Sequence, residues 1–182
     1  RYNLKKIYET SFEEYPDEFD KETTWDNVSY LSSVNFFVLG HDHEFGFGIK
    51  RKGYIGERHI EITSEAIALG FLPKSLNGKQ LLNIGTNTGG DLFVLAGMGA
   101  TYTVLEENDH CANVFKFLSK SRGFKTEVQA VSAYFDQEDW LRSFDYIYCS
   151  GVLYHVNDLV LLLRILFCYQ KIGGELFIET KA

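Results

Sequence analysis

The stretch Leu81-Leu82-Asn83-Ile84-Gly85-Thr86-Asn87-Thr88-Gly89-Gly90-Asp91 decides the reading of this chain. A short apolar run breaks into a glycine-rich turn and then enters an apolar, helix-compatible segment. That grammar is strand, tight loop, helix. Glycine carries no Cβ and tolerates positive φ, so a ligand can approach the backbone of such a loop closely. The loop also aims the N–H groups of a helix N-terminus at whatever sits there.

From residue 80 onward the alternation is regular. Strand 80–84 leads through the loop to a helix over 90–98, and Gly99-Ala100 turns into strand 101–106. A helix over about 109–121 precedes strand 126–131 and a short helix near 136–142. Strand 145–150 runs into Gly151-Val152-Leu153-Tyr154-His155. A strongly apolar helix over 157–170 then reads as core, and Gly173-Gly174 turns into strand 175–180. Strands separated by helices imply a parallel sheet with right-handed crossovers, a doubly wound α/β fold with helices on both faces. The near-continuous apolar strand 145–149 suits burial on both sides.

Upstream, residues 1–58 are rich in aromatic and acidic residues without regular spacing, and read as an N-terminal cap on the substrate side. Phe45-Gly46-Phe47-Gly48 reads as a turn or extended loop. Lys50, Arg51 and Lys52 form the one dense basic cluster, a solvated charge run or an anion site. A helix over 59–70 opens the second division, residues 59–182. His41-x-His43 lacks a third ligand at metal-site spacing, so it reads as a surface loop and no metal is expected.

Composition bounds the class. With 45% hydrophobic and 24% charged residues over 182 positions, the chain is a globular domain with a sizeable core. No uncharged apolar stretch approaches the ~20 residues that span a bilayer, so no membrane partner is expected. The net charge of −7 argues against broad nucleic-acid binding, which rests on phosphate neutralisation. Cys111, Cys149 and Cys168 make neither a disulfide framework nor a metal motif, and two of them lie in apolar segments. A cytoplasmic setting is the default that follows. The chain begins at Arg1 and stops at Ala182 directly after a strand, so truncation at both ends is expected.

In a doubly wound sheet, ligands sit at the carboxyl ends of the strands near the switch point. Four strand ends matter. The first is the loop itself, with Gly85, Thr86, Asn87 and Gly89. The second is Leu105-Glu106-Glu107, about 20 residues past the glycines, where a carboxylate can take both ribose hydroxyls. Either acid could serve, and the spacing favours Glu106. The third is Val131-Ser132-Ala133, small enough for a base to approach the backbone. The fourth is Ser150-Gly151-Val152-Leu153-Tyr154-His155, which projects polar and aromatic groups over the mouth. A nucleoside-containing ligand is the physical reading, either a dinucleotide or S-adenosylmethionine. A pyrophosphate wants a glycine where Asn87 stands.

Three segments carry a family resemblance. Leu81 through Gly90 resembles motif I of class I S-adenosylmethionine-dependent methyltransferases, in a Gly-x-Asn-x-Gly variant. Phe144-Asp145-Tyr146-Ile147-Tyr148 with Gly151-Val152-Leu153-Tyr154-His155 resembles that family's fourth-strand motif. Lys171-Ile172-Gly173-Gly174-Glu175-Leu176 resembles its turn into the fifth strand. Within the family, Arg51-Lys52-Gly53, Gly97-Met98-Gly99-Ala100, Gly151–His155 and Gly174–Thr180 resemble the tRNA wobble-uridine carboxymethyltransferases.

The resemblance implies a Rossmann-like fold and S-adenosylmethionine as cofactor. The narrower likeness implies carboxy-S-adenosylmethionine, with Lys52 and Tyr154 near its extra carboxylate. Asn83 departs from the family, which has an acid there near the methionine ammonium. The family's final antiparallel strand pair has no counterpart before Ala182. The implied reaction is methyl transfer to a small-molecule or sugar-like acceptor, with His155 the candidate base and Tyr154 near the sulfonium. The alternatives are a tRNA (carboxy)methyltransferase relative, a catalytically silent cofactor-binding module and, more distantly, a dinucleotide oxidoreductase. Tyr154 and His155 could instead pack on the cap. Oligomeric state is left open.

Overall fold

The computed structural model describes residues 40–44, 50–51, 53, 55–121, 126–129, 132, 134 and 137–181. Residues 1–39 of the expected 1–58 cap, the Phe45–Gly48 turn, Lys52 and Ala133 lie outside the described residues. A two-residue antiparallel pair, β1 (His43–Glu44) with β2 (Lys50–Arg51), precedes helix α1 (Arg58–Ala68). Then follow β3 (Gln80–Ile84), α2 (Gly90–Gly97), β4 (Thr101–Leu105), α3 (Asp109–Ser121) and β5 (Thr126–Gln129). A single 3-10 turn (Glu138–Trp140), β6 (Phe144–Ser150), a second 3-10 turn (Leu153–His155), α4 (Leu159–Tyr169) and β7 (Gln170–Glu179) complete the chain.

The sheet order is β5-β4-β3-β6-β7, and every pairing in it is parallel. β3 lies at the centre, between β4 and β6. The crossovers reverse direction there, so its carboxyl end opens into a crevice. Period-2 alternation sorts the core. Leu81, Tyr102, Val104 and Tyr148 pack with Ala66 of α1, Leu95 of α2 and Phe115 of α3 on one face. Leu82, Ile84, Leu105, Ile147 and Cys149 pack with Leu162, Leu166 and Tyr169 of α4 on the other. The central strands are therefore largely apolar on both sides, with Asn83 the buried polar residue of β3 and Thr103 that of β4.

Three expectations need correction. Helix α4 is not core throughout. Asp158 caps its N-terminus by accepting from the Leu161 N–H at 2.9 Å, and only one stripe faces the sheet. Leu159, Val160, Leu161 and Phe167 are exposed, Phe167 at 61%, as is Cys168. The Gly173-Gly174 turn does not precede the last strand but bulges within it. Phe144 pairs with Gln170 and Tyr146 with Glu175, so five residues of β7 oppose two of β6. Gly173 takes a φ of 78° there. The helix near 136–142 shrinks to one 3-10 turn.

Candidate functional site

The loop after β3 turns three times through left-handed backbone, at Gly85, Asn87 and Gly89. Gly85 has a φ of 68°, and a Cβ on it would stand 2.5 Å from Val152 Cγ2. Both conformation and space thus demand glycine. Asn87, at φ 53°, takes the second turn, a conformation asparagine tolerates better than most side chains. α2 begins at Gly90 beneath it. A Cβ on Gly90 would meet His41 Cγ at 2.6 Å and His59 Cγ at 2.7 Å. The glycine lets two histidines from upstream segments lie on the start of the helix.

His41 is accordingly not part of a surface loop. Its Nδ1 accepts from the Gly90 N–H at 3.1 Å, and its own N–H donates to Thr88 Oγ1 at 3.2 Å. Its ring stands edge-on to His59, 4.7 Å between centroids. Burial pushes its pKa down to about 4, against a smaller opposing effect of Asp42. His59 is also held below its usual value, first by burial and then by His41. Both imidazoles are neutral at neutral pH. His59 Nδ1 is buried and has no hydrogen-bond partner among the described residues.

Above the loop lies a cavity of about 940 Å³, within the range of small-molecule sites. Gly85, Thr86 and Asn87 form one wall. Glu106, Glu107 and Ser132 come from the ends of β4 and the segment after β5. Ser150, Gly151, Tyr154 and His155 come from the end of β6. Ten of the expected site residues thus meet in one cleft. Asn83 and Gly89 stand behind it, Asn83 buried under the loop. Lys52 and Ala133 lie outside the described residues.

The two acids after β4 differ. Glu106 turns inward and is 6% exposed, whereas Glu107 is exposed. Glu106 Oε2 accepts from the Asn87 N–H at 2.6 Å, and Oε1 from the Asn108 N–H at 3.0 Å. It therefore ties the glycine loop to β4, and each oxygen keeps lone-pair capacity toward the cleft. Burial raises its pKa, and the two N–H donors oppose that.

At the mouth, Tyr154 is 53% exposed and His155 is also exposed, their rings 4.4 Å apart. They cover the cleft rather than packing into the interior. Ser150 Oγ donates to Glu179 Oε2 at 3.0 Å, so its hydroxyl is engaged with β7.

Several lining residues went unnoticed in the sequence. Asp91 is the most consequential, at 7% exposure in the first turn of α2. Its Oδ2 accepts from Asn83 Nδ2 at 3.0 Å and its Oδ1 from Thr86 Oγ1 at 3.3 Å. Asn83 also donates to the Tyr102 hydroxyl at 3.4 Å. Burial raises the pKa of Asp91, and the Asn83 hydrogen bond offsets part of that. His41, His59, Arg58, Tyr134, Glu179 and Lys181 line the same space. The signal for Asp91 was its position just after Gly-Gly; the two histidines lay too far away in sequence to suggest a shared site.

The comparisons with known proteins agree with this geometry. The methyltransferase-domain family matches residues 57–182, more than half of the chain. A tRNA U34 carboxymethyltransferase from Campylobacter concisus is 32% identical over 136 residues, 71% of this chain and 47% of that protein. A ubiquinone biosynthesis O-methyltransferase from Pseudomonas putida is 29% identical over 157 residues, 85% of this chain and 64% of that protein. The chain thus spans less than two thirds of either relative. The crystal structure of coclaurine N-methyltransferase bound to N-methylheliamine and SAH has a TM-score of 0.57 at 17% identity. That match covers 67% of this chain and 35% of that one, and it speaks for the fold. With the family match running from the start of α1 through the whole parallel sheet, the chain belongs to the S-adenosylmethionine-dependent methyltransferase family.

Proposed function

We propose that this protein transfers a methyl group from S-adenosylmethionine to a small-molecule or sugar-like acceptor. The observation that carries the reading is the cleft at the switch point, with the glycine loop on one side and the buried Glu106 on the other. The residues present fit the cofactor. Glu106 has lone pairs left for ribose hydroxyls, the Gly85 turn admits a ligand against the backbone, and exposed Ser132 borders room for a base. The bound cofactor supplies an electrophilic methyl on a sulfonium, so the protein's work is mainly positioning.

In this reading Glu106 and the loop fix the nucleoside end. Tyr154 lies over Gly151 at the mouth, where a Cβ on Gly151 would stand 3.2 Å from its hydroxyl. It would shield the reacting centre and face the sulfonium with its ring. His155, beside it and open to solvent, would take a proton from an acceptor hydroxyl where the acceptor needs one removed. Residues 1–58 would supply the acceptor side. Acids outnumber cations along the described lining: Asp91, Glu106, Glu107 and Glu179 against Arg58 and Lys181. That balance, with the net charge of −7, favours a compact acceptor over a polyanion.

A second reading is favoured by the Campylobacter relative: a carboxymethyltransferase of tRNA using carboxy-S-adenosylmethionine. It expects Lys52→Ala to abolish a preference for the carboxylated cofactor. Equal binding of both cofactors by the unmodified protein would remove it. The two readings, and a catalytically silent module, separate by mass spectrometry of the ligand co-purifying with the protein, followed by an acceptor screen. S-adenosylmethionine or its homocysteine product with turnover supports methyl transfer. The carboxylated cofactor supports the second reading, and NAD would overturn both.

A further inference from the structure

The last residue of β7, Glu179, pairs in register with Ser150, the last residue of β6, and both line the cleft. Two contacts fix this corner. The Gly151 N–H donates to the Glu179 carbonyl at 3.0 Å, and Ser150 Oγ donates to Glu179 Oε2 at 3.0 Å. A hydroxyl has one proton, and Ser150 commits its own to Glu179, so toward the cleft it keeps only lone pairs. Glu179 Oε1 has no hydrogen-bond donor, and no ion pair reaches the carboxylate among the described residues. Lys181, two residues on, lines the same cleft without pairing to it. The Ser150–Glu179 pair therefore accepts hydrogen bonds and gives none.

The strand order sets this pair apart from Glu106. In the run β4-β3-β6-β7 the ends that carry Glu106 and Glu179 are three strand spacings apart, about 14 Å. One ribose cannot meet both carboxylates. Between them lie Gly85, at the end of β3, and Gly151, after β6, with the Tyr154 hydroxyl over Gly151. Glu179 thus stands beyond the mouth at Tyr154, on the side away from the glycine loop and Glu106.

We infer that Glu179, aimed by Ser150, binds the methyl acceptor by accepting a hydrogen bond from its nucleophilic group, and so selects an acceptor that carries a proton there, a hydroxyl or an amine. The inference rests on the methyltransferase reading above. A hydroxyl or amine that donates to a carboxylate makes a charge-assisted bond, and its lone pair is left pointing away from the carboxylate, into the cleft. The same charge rejects an ionised acid as acceptor. Such a group has no proton to donate, and a second anion beside Glu179 is repelled. Ser150 also changes its place. Its hydroxyl, expected among the cofactor contacts, is committed to β7 and positions the acceptor-binding carboxylate instead.

The test needs no acceptor. Sinefungin has the skeleton of S-adenosylhomocysteine with a carbon bearing an ammonium in place of the sulfur, so it sets a positive charge where the transferable methyl stands. Calorimetric titration of wild type and Glu179→Gln with both ligands, at low ionic strength, is the experiment. The glutamine keeps a carbonyl for the Ser150 hydroxyl, and its binding of S-adenosylhomocysteine reports that fold and cofactor site are intact. The expected result is an unchanged affinity for S-adenosylhomocysteine and a loss of about fivefold for sinefungin, the scale of one charge acting across a partly wet cleft. Equal affinity of wild type and variant for sinefungin would overturn the inference and leave the methyltransferase reading standing. A parallel loss of both ligands would also overturn it, since Glu179 would then hold the wall of the cleft rather than face the acceptor. Identification of a carboxylate as the group methylated would overturn it as well. Failure of wild type to bind S-adenosylhomocysteine at all would overturn the methyltransferase reading, and this inference with it.

Discussion

Two buried carboxylates flank the glycine loop, and they are held in opposite ways. Glu106 is gripped by backbone, through the N–H groups of Asn87 and Asn108. Asp91 is gripped by side chains, Asn83 and Thr86. A backbone-held acid is fixed by the fold itself and pins the loop whether or not a ligand is present. A side-chain-held acid depends on which residues neighbour it, so it can be tuned or moved in sequence. The Glu106 side of the cleft is therefore set by the backbone, and the Asp91 side by the identity of its neighbouring side chains.

The largest expected effect comes from breaking the hinge between them. Gly85→Ala puts a methyl against Val152 and a side chain at φ 68°. A loss of about 3–4 kcal/mol in stability is expected, as a fall in Tm together with lost S-adenosylhomocysteine binding. Next comes Glu106→Gln. Its amide would turn an NH2 toward either the Asn87 or the Asn108 N–H, donor against donor. A cost of about 2–3 kcal/mol in binding is expected. It should weaken S-adenosylhomocysteine and 5′-methylthioadenosine, which lacks the amino acid, together, and a loss confined to S-adenosylhomocysteine would contradict the proposed place of Glu106 beside the nucleoside.

Asn83→Asp sharpens the comparison at the other end. It would set a second carboxylate where a donor now lies 3.0 Å from Asp91. Burial already raises the Asp91 pKa, and a like charge raises it further. The folded pair then holds a proton that the unfolded chain releases, so stability falls as pH rises out of the carboxylate range. A deficit of about 2 kcal/mol at neutral pH, shrinking toward pH 4, is expected from denaturant titrations. A constant deficit across pH would show that the loss is steric.

The smallest effect belongs to His41. Its folded pKa of about 4 lies below the unfolded 6.5, so the unfolded chain binds more protons between these values. Its contribution is complete above pH 6.5 and is lost as pH falls toward 4. Discounted for its partial exposure, it is worth about 1 kcal/mol. Buried Asp91 and Glu106 act in the opposite direction, so the readout is the difference in slope between wild type and His41→Asn, which keeps an acceptor for Gly90. Identical slopes would show that His41 does not titrate there.

What could be read in advance follows the same line. Strand, loop and helix around Gly85 were legible because only glycine fits such backbone, and Glu106 because its spacing from the loop follows from the length of one βα unit. The place of Asp91 in the cleft was hidden, since its contact with the Asn83 amide reaches across the loop. His41 and His59 were hidden for another reason: they come from upstream segments and meet only because Gly90 leaves room. The apolar run 157–170 misled because hydrophobicity without period leaves the exposed flank unmarked, and α4 buries one stripe. The bulge at Gly173 depends on register with β6, which no local pattern records.

The central claim is that this cleft receives a sulfonium nucleoside and not a dinucleotide. Calorimetric titration of the protein with S-adenosylhomocysteine and, separately, with NAD tests it most directly. Saturable binding of S-adenosylhomocysteine at one site per chain, with no heat from NAD, is the expected result. Tight binding of NAD with no response to S-adenosylhomocysteine would contradict the account.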